Sequence, residues 1–318
     1  MNASSANPLI SIAMCTYNGE SYVGAQLASL LAQTWPHLEI VVVDDNSIDG
    51  TLTIIAEYAR KDTRIKFFRN SENLGINKNF NLAISLCHGE FIAPCDQDDI
   101  WHPDKLSRLH AIIENHVLSY CDSELITADG SSMNMRISDR IHMYHGNDPV
   151  VFAFWNCVSG HAMLFRRELL TRALPIPDVK FHDWWFAFLA TTHGSIAYLD
   201  EPLVQYRQHA HAQTDLSRMG RKTEPDNRTL LFKEREQWLG YLASVESPQQ
   251  PFFIELHQLW QAQAHQWVSI KLIRHMAKQY HALLFINRSR SFFRFALKNF
   301  WGLKSKVFFN PSNYSKVK

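Results

Sequence analysis

The chain has 318 residues, 46% hydrophobic and 20% charged, with a formal net charge of +1. This is ordinary globular composition with material for about two domains, which excludes a disordered, collagen-like or low-complexity protein. The near-neutral balance hides an asymmetry: eleven Lys or Arg and no acid follow Glu255, leaving residues 1–255 at −10.

In chain order, Leu9–Cys15 predicts a strand and residues 20–33 a helix. Leu38–Asp44, LEIVVVD, is almost continuously apolar, as a buried parallel strand should be. Helix Thr51–Arg60, strand Arg64–Arg69, helix Lys78–Leu86 and strand Glu90–Cys95 follow, then a helix from Pro103 to about His116 and strand Val117–Leu125. Repeated strand–helix–strand units predict a doubly wound, mostly parallel α/β sheet. Residues 129–150, polar with Gly130, Gly146 and Pro149, predict a long mobile loop. Beyond it come a strand at Val158–Phe165, a helix at Asp183–Thr192 and two short strands, Ile196–Leu199 and Leu203–Tyr206. From about Leu216 the pattern is helical and aromatic. The expected organisation is a catalytic domain over 1–215, with halves near 1–126 and 127–215, and a helical, basic-aromatic region over 216–318.

In a doubly wound sheet ligands gather at the carboxyl ends of the strands. Thr16–Asn18, Asp44–Ser47, Asn70–Gly75 and Asp96–Asp99 all fall at such ends. The last is the most telling, with Asp96, Asp98 and Asp99 packed into four positions after a buried strand. Clustered like charges are costly without a cation, and oxygen ligands in a short loop suit Mg²⁺ or Mn²⁺ shared with a phosphate. A solvated acidic turn is the plainer alternative. The chain has neither GxGxxG nor GxxxxGK[ST], which disfavours a dinucleotide enzyme and a P-loop NTPase. Asp45 either caps the following helix or accepts a hydrogen bond from a nucleobase N–H. Asp183 at a helix start is as readily a cap. Trp184 and Trp185 are core residues or a sugar-stacking wall. His209 and His211 form an HxH with no cysteine partners, so a zinc site is not expected.

TYNGE, VVVDDNSIDGT, NLGINKNFNLAI, APCDQDDIWHPDKL, SGHAMLFRREL, HDWW and YRQH occur in this order over about residues 9–212. Together they resemble the inverting family 2 nucleotide-sugar glycosyltransferases of GT-A (Rossmann-like) fold. DQDDIW, HDWW and YRQH most resemble the bacterial rhamnosyltransferase-like branch that builds surface polysaccharides. The resemblance implies a base-binding Asp at Asp45, with Thr16, Tyr17 and Asn18 lining the nucleoside pocket and Gly75 and Asn79 beside the donor. Relatives commonly carry an Arg after NLG, where this chain has Lys78, Asn79 and Phe80. It implies a DXD element at Asp96-Gln97-Asp98, with Asp98 on an Mg²⁺ or Mn²⁺ that bridges the diphosphate. Asp96 then falls near the ribose and Asp99 on the sugar or metal side. His209 is implied as a further metal ligand, Asp183 as the catalytic base and Trp184 as a sugar contact. The implied activity moves a sugar from a nucleotide-diphosphate donor, first choice dTDP-L-rhamnose, to a glycan or lipid-linked acceptor. A UDP-hexose donor, a catalytically inactive scaffold and a nucleotidyltransferase are the competing readings.

Five widely spaced cysteines with no CxxC pair predict reduced thiols, and MNASSANP lacks the features of a signal peptide. No apolar run approaches the ~18 residues of a membrane span. A cytoplasmic protein is expected, with peripheral contact at the inner face of the cell membrane through its basic tail. In that tail, basic residues interleave with aromatics from Arg288 to Lys304, which suits either an interfacial helix or a helix packed on the body. Without a recognisable binding module, no nucleic-acid partner is expected.

Overall fold

The structure, a computed structural model, describes residues 7–178, 181–209, 228–288 and 291–301. The expected boundary near 215, like His211, lies outside these residues. They fall into two units: residues up to 147 with 157–209, and 148–156 with those from 228 onward. Each is taken by itself.

The first unit runs β1 (Ile10–Thr16), α1 (Val23–Leu31), β2 (Leu38–Asp44), α2 (Thr51–Lys61), β3 (Ile65–Arg69), α3 (Ile76–Ser85), β4 (Phe91–Cys95) and β5 (Ile100–Trp101). Then come α4 (Lys105–Ile113), β6 (Leu118–Ile126), β7 (Ser132–Arg136), β8 (Met163–Arg166), α5 (Leu170–Ala173), α6 (His182–His193) and β9 (Ile196–Arg207). One nine-stranded sheet has the order β3-β2-β1-β4-β8-β6-β9-β5, with β7 paired to β6. Strands β3, β2, β1 and β4 are parallel, and the registers Thr16–Asp44, Asp44–Arg69 and Met14–Cys95 bring their carboxyl ends to one edge. β8 then runs antiparallel to both β4 and β6. The sheet is therefore parallel in its first half and mixed in its second. Every residue of β2 is buried, which explains its unbroken apolar run. Helix α1 buries Val23, Leu27 and Leu30 on one stripe, the spacing that covers a sheet face.

Three expectations change. The loop predicted over 129–150 contains strand β7, whose Met133 and Met135 pack toward Leu125 and Tyr206 while its Ser, Asn and Arg stay out. Its polar residues hid a two-residue period. The two strands expected at Ile196–Leu199 and Leu203–Tyr206 are one, β9, which passes Asp200-Glu201-Pro202 through register shifts against Cys121–Ser123. The strand expected at Val158–Phe165 is only Met163–Arg166, entered through a 3₁₀ turn at Gly160–Ala162. The two-residue strand β5 was not foreseen. It pairs antiparallel with β9, Ile100 opposite Gln205 and Trp101 opposite Val204.

The second unit holds α7 (Arg228–Ser244), α8 (Gln250–Gln263), α9 (Ile270–Ala277), α10 (Tyr280–Leu283) and α11 (Phe292–Phe300). Trp238, Leu239 and Leu242 of α7 and Phe253, Leu256 and Trp260 of α8 are buried. The 148–156 segment is bound in by Arg235, whose Nη1 donates to Ala153 O at 3.1 Å with its guanidinium over the Phe154 ring. Among the described residues, no helix is long and apolar enough to cross a membrane.

Near the amino ends of the strands, Glu39 is buried beneath Ser11, Lys66 and His88. Burial alone would raise its pKa, but the Ser11 hydroxyl, the His88 N–H and the Lys66 ammonium override it and hold the carboxyl at about 2. Glu39→Gln should destabilise the fold at neutral pH by about 1–3 kcal/mol. A depressed folded-state pKa stabilises above the unfolded value of 4.5 and ceases to do so as pH falls toward 2. Urea titrations should therefore show a gap between parent and variant at pH 7 that closes in acid. An equal midpoint at pH 7 would contradict this role.

Candidate active site

At the parallel edge, the ends of β1 and β2 are fastened by Asp44. Its Oδ2 accepts from the hydroxyls of Thr16 at 2.9 Å and Ser47 at 2.5 Å, while Oδ1 accepts from the Ser47 N–H. The neighbouring Asp45 faces the 70–75 segment. Its Oδ1 accepts from Asn70 Nδ2 and the Leu74 N–H, both at 2.8 Å, and its Oδ2 from the Gly75 N–H at 2.9 Å. Gly75 has a φ of +82° just before α3, a conformation that favours glycine. Asn79 accepts from Asn70 Nδ2 and donates to Val43 O. The Asn18 N–H donates to the Ser47 hydroxyl oxygen, and Asn18 Oδ1 accepts from the Ile48 N–H. Thr16, Asn18, Asp45, Gly75 and Asn79 thus brace three loops against one another, and Thr16 and Asn79 are fully internal. Tyr17 is exposed, and its main-chain N–H and C=O bond both ends of the Gln97 amide, at 2.8 and 2.9 Å. Gln97 therefore ties the first loop to the acidic loop.

The acidic loop is positioned by the β5–β9 pairing. That pairing carries Asp96–Asp99 against Arg207 and His209 at the end of β9. The Arg207 N–H donates to Asp99 Oδ1 at 3.0 Å, and Arg207 Nε donates to Asp98 O at 2.8 Å. His209 Nε2 lies 2.8 Å from Asp98 Oδ2. His161, in the turn before β8, sets Nδ1 3.6 Å from Asp96 Oδ2 and 3.5 Å from Asp99 Oδ2, with Nε2 on the Ser123 hydroxyl at 3.0 Å. Beneath it the buried Lys105 donates Nζ to His161 O and lies over the Trp101 ring.

The three carboxyls do not titrate alike. Burial, reinforced by the charges of Asp98 and Asp96, pushes Asp99 up to about 7 despite His161. Burial and Asp96 also raise Asp98. For Asp96, burial is overridden by the His161 hydrogen bond and charge, which hold it below the usual range. His161 itself is raised: burial disfavours its charge, and Asp99 and Asp96 outweigh that.

These groups suit a hard or borderline divalent ion, being carboxylate oxygens with imidazole. Asp99 Oδ2 is a buried oxygen with no hydrogen bond, and Asp98 and His209 already meet. Asp96, Asp99 and His161 can bring one ligand atom each within 4.8 Å of one another. The residues fit the ion. Asp96 keeps 41% of its side chain exposed and Asp98 17%, whereas Asp99 is sealed.

Asp183 enters from α6. The helix begins at His182, so Asp183 is inside its first turn rather than capping it. Its carboxyl accepts from the Trp184 N–H at 2.6 Å, and the nearby Gly160 backbone adds a weaker influence that favours its charged form. Burial, against both and with the Asp96 charge adding, pushes it up to about 7. Gly160 also lets the buried His182 ring approach, since a Cβ there would lie 2.6 Å from His182 Nε2. Of the paired tryptophans, Trp185 is core, donating Nε1 to Ala173 O, and Trp184 stays half-buried beside Asp183.

The structure thus gathers Asp96, Asp98, Asp99, His209 and Asp183, with Gln97 as a tie. Sequence reasoning missed His161, Lys105 and Gly160. The signal was present in SGHAMLF, where Gly-His sits directly before a buried strand, and in a Lys at an apolar-face position of α4.

The glycosyl transferase family 2 model matches residues 11–173, just over half of the chain. An uncharacterized glycosyltransferase of Haemophilus influenzae is 27% identical over 256 residues, 75% of this chain and 76% of that one. The putative teichuronic acid biosynthesis glycosyltransferase TuaG of Bacillus subtilis is 29% identical over 63% of this chain and 79% of its own. Among solved structures, S. aureus TarS 1–349 in complex with UDP-GlcNAc superposes with a TM-score of 0.58 at 19% identity, covering 86% of this chain and 81% of that one. The mannosyltransferase PcManGT from Pyrobaculum calidifontis, in complex with GDP-Man and Mn²⁺, gives 0.54 at 16% identity over 99% and 82%. Identities this low speak for the fold alone, and it is the GT-A fold that the motifs implied. With its strand ends, acidic loop and family match in agreement, the chain belongs to glycosyl transferase family 2.

Proposed function

We propose that this enzyme transfers a sugar with inversion from a nucleotide-diphosphate donor to a surface-polysaccharide or lipid-linked glycan, with Asp183 as the base. One observation carries the reading. The Gly160–His161 step touches both halves of the chemistry, Gly160 lying against the ring of His182, next to Asp183, and His161 facing Asp96 and Asp99. Inverting transfer is a single in-line displacement, so it needs a base for the acceptor hydroxyl and stabilisation of the departing diphosphate.

Asp183 supplies the first. A carboxylate with pKa near 7 accepts a proton far more readily than an ordinary one, and the Trp184 N–H holds it in place. On the motif resemblance Asp98 and His209, 2.8 Å apart, would hold a divalent ion, beside the Asp96, Asp99 and His161 cluster whose ligand atoms lie within 4.8 Å of one another. Bound there, the ion supplies Lewis-acid stabilisation to the leaving diphosphate. Gln97 and Tyr17 keep the acidic loop and the nucleoside side of the site in register, and Trp184 offers an aromatic wall for a sugar. Asp45 spends its carboxylate on the 70–75 segment, so its part in base recognition is to shape that loop as well as to accept from the base.

L-rhamnose from dTDP-rhamnose is the first-choice donor, on the DQDDIW, HDWW and YRQH motifs. A UDP-hexose is the second reading, favoured by the fold shared with TarS bound to UDP-GlcNAc. The site of action on this reading is the cytoplasmic face of the cell membrane.

Asp183→Asn should lower turnover by about two to four orders of magnitude while nucleotide binding, followed by calorimetry, is retained. Unchanged turnover would remove Asp183 from the mechanism and favour a scaffold. Because the base works deprotonated and its pKa is raised to about 7, kcat/KM should climb with pH through that value and level off above it. A flat profile from pH 5 to 9 would contradict the assignment.

Asp98→Asn and His209→Ala should each weaken the apparent affinity for Mn²⁺ or Mg²⁺ by at least about tenfold. EDTA should silence the parent reversibly, and full activity in EDTA would rule out the ion. In a donor panel read by nucleoside diphosphate release, dTDP-rhamnose should exceed UDP-glucose and UDP-GlcNAc. The reverse order would replace the rhamnose reading with the hexose one.

A further inference from the structure

Helix α11 and the residue after it carry Phe293, Leu297 and Trp301 at four-residue spacing, and all three face solvent, 75, 51 and 45% exposed. The other face of α11 is packed. Phe295 meets the Phe154 ring at 5.3 Å, Phe292 meets Tyr280 at 5.4 Å, and Asn299 is buried. One face of the tail helix is therefore packed within the second unit and the other is bare.

Trp301 forms a backbone bridge with Val268, and the Ser269 N–H donates to Phe300 O at 2.8 Å. The turn before α9 is thereby laid against the end of the stripe, and that turn exposes Trp267, Val268 and Ile270. Six large exposed apolar side chains, two of them tryptophan, thus lie on the two segments that this bridge joins. Scattered exposed apolar residues are normal, but a contiguous set of this kind marks an interaction site.

The lysines and arginines of α9 and α11 have no acid among them. Lys271 and Arg274 on α9 and Arg294 on α11 are exposed. Glu255, the last acid in the sequence, is already engaged, 2.9 Å from His275 and 3.8 Å from Lys278. A second copy docked through the same surface by a two-fold axis would set these cations against their own images. An anionic bilayer complements them, accepting tryptophan and phenylalanine at headgroup depth and lysine and arginine at the phosphates.

We infer that the Phe293–Leu297–Trp301 stripe and the Trp267–Ile270 turn form a docking surface for an anionic lipid bilayer. The inference is independent of the catalytic reading. The full chain should co-sediment with vesicles of phosphatidylcholine plus phosphatidylglycerol and only weakly with phosphatidylcholine alone, and added salt should release it. Phe293→Glu with Leu297→Glu, and separately Lys271→Glu with Arg274→Glu, should each reduce binding by at least about tenfold. These side chains are exposed, so thermal melts should match the parent. Quenching of parent tryptophan fluorescence by brominated phosphatidylglycerol gives a second readout that needs no variant. Equal binding to neutral and anionic vesicles, variants that bind like the parent, or absence of quenching would overturn the proposal. So would a dimer seen by sedimentation velocity that the same substitutions dissociate, since a second copy would then be the occupant.

Discussion

Three carboxylates within four residues at the mouth of a buried strand must be held apart from one another, and much of the site exists to do that. Repulsion at such distances is strong where water is scarce. The chain answers with a different partner for each carboxyl. His161 faces Asp96 and Asp99, His209 meets Asp98, and the Arg207 N–H satisfies one oxygen of Asp99. Burial pushes the Asp99 carboxyl well above the usual carboxylate range, which eases the repulsion further. Lys105, buried and lowered to about 7, supports His161 from below through its main-chain oxygen.

The sheet topology follows the same requirement. The first four strands could have formed a simple parallel nucleotide fold, and their carboxyl ends alone would have brought the Thr16, Asp45 and Asp96 loops together. What completes the constellation is the change to mixed pairing. β8 runs antiparallel between β4 and β6, so the turn leading into it delivers Gly160 and His161 to the same edge as Asp96. The two residues of β5 clip the acidic loop to β9, which brings in His209 from 111 positions along the chain. A family 2 glycosyltransferase thus draws its acid loop from one half of the sheet and its counter-charges from the other.

The second unit obeys a plainer rule. Its core is built of aromatic rings such as Phe232 on Trp260 at 5.6 Å, with Phe154 supplying a shared contact. Aromatics fill a small helical core efficiently. That core does not use all of the apolar residues available. Six of the remainder lie on α11, Trp301 and the 267–270 segment, beyond the last acid of the sequence.

By itself the sequence determined the four parallel strands, the covering helices and the acidic loop, because each has a local signature: LEIVVVD as a continuous apolar run, α1 as a stripe, Asp96–Asp99 as a charge cluster. The ordered motifs also pointed to the family. It did not disclose that Asp45 would be occupied by Asn70, Leu74 and Gly75, nor that Asp99 would be sealed while Asp96 stays open. It hid β7 behind polar side chains and divided β9 at Pro202. Local periodicity reports which residues can form a strand, not which partner it will find. Only the tertiary structure decided that His161 meets Asp96 and Asp99, that Gly160 meets the His182 ring, and that the tail helix leaves one apolar face bare. Each of these contacts joins residues far apart in the chain or depends on what a neighbouring element leaves uncovered, and no pattern within a single segment encodes either.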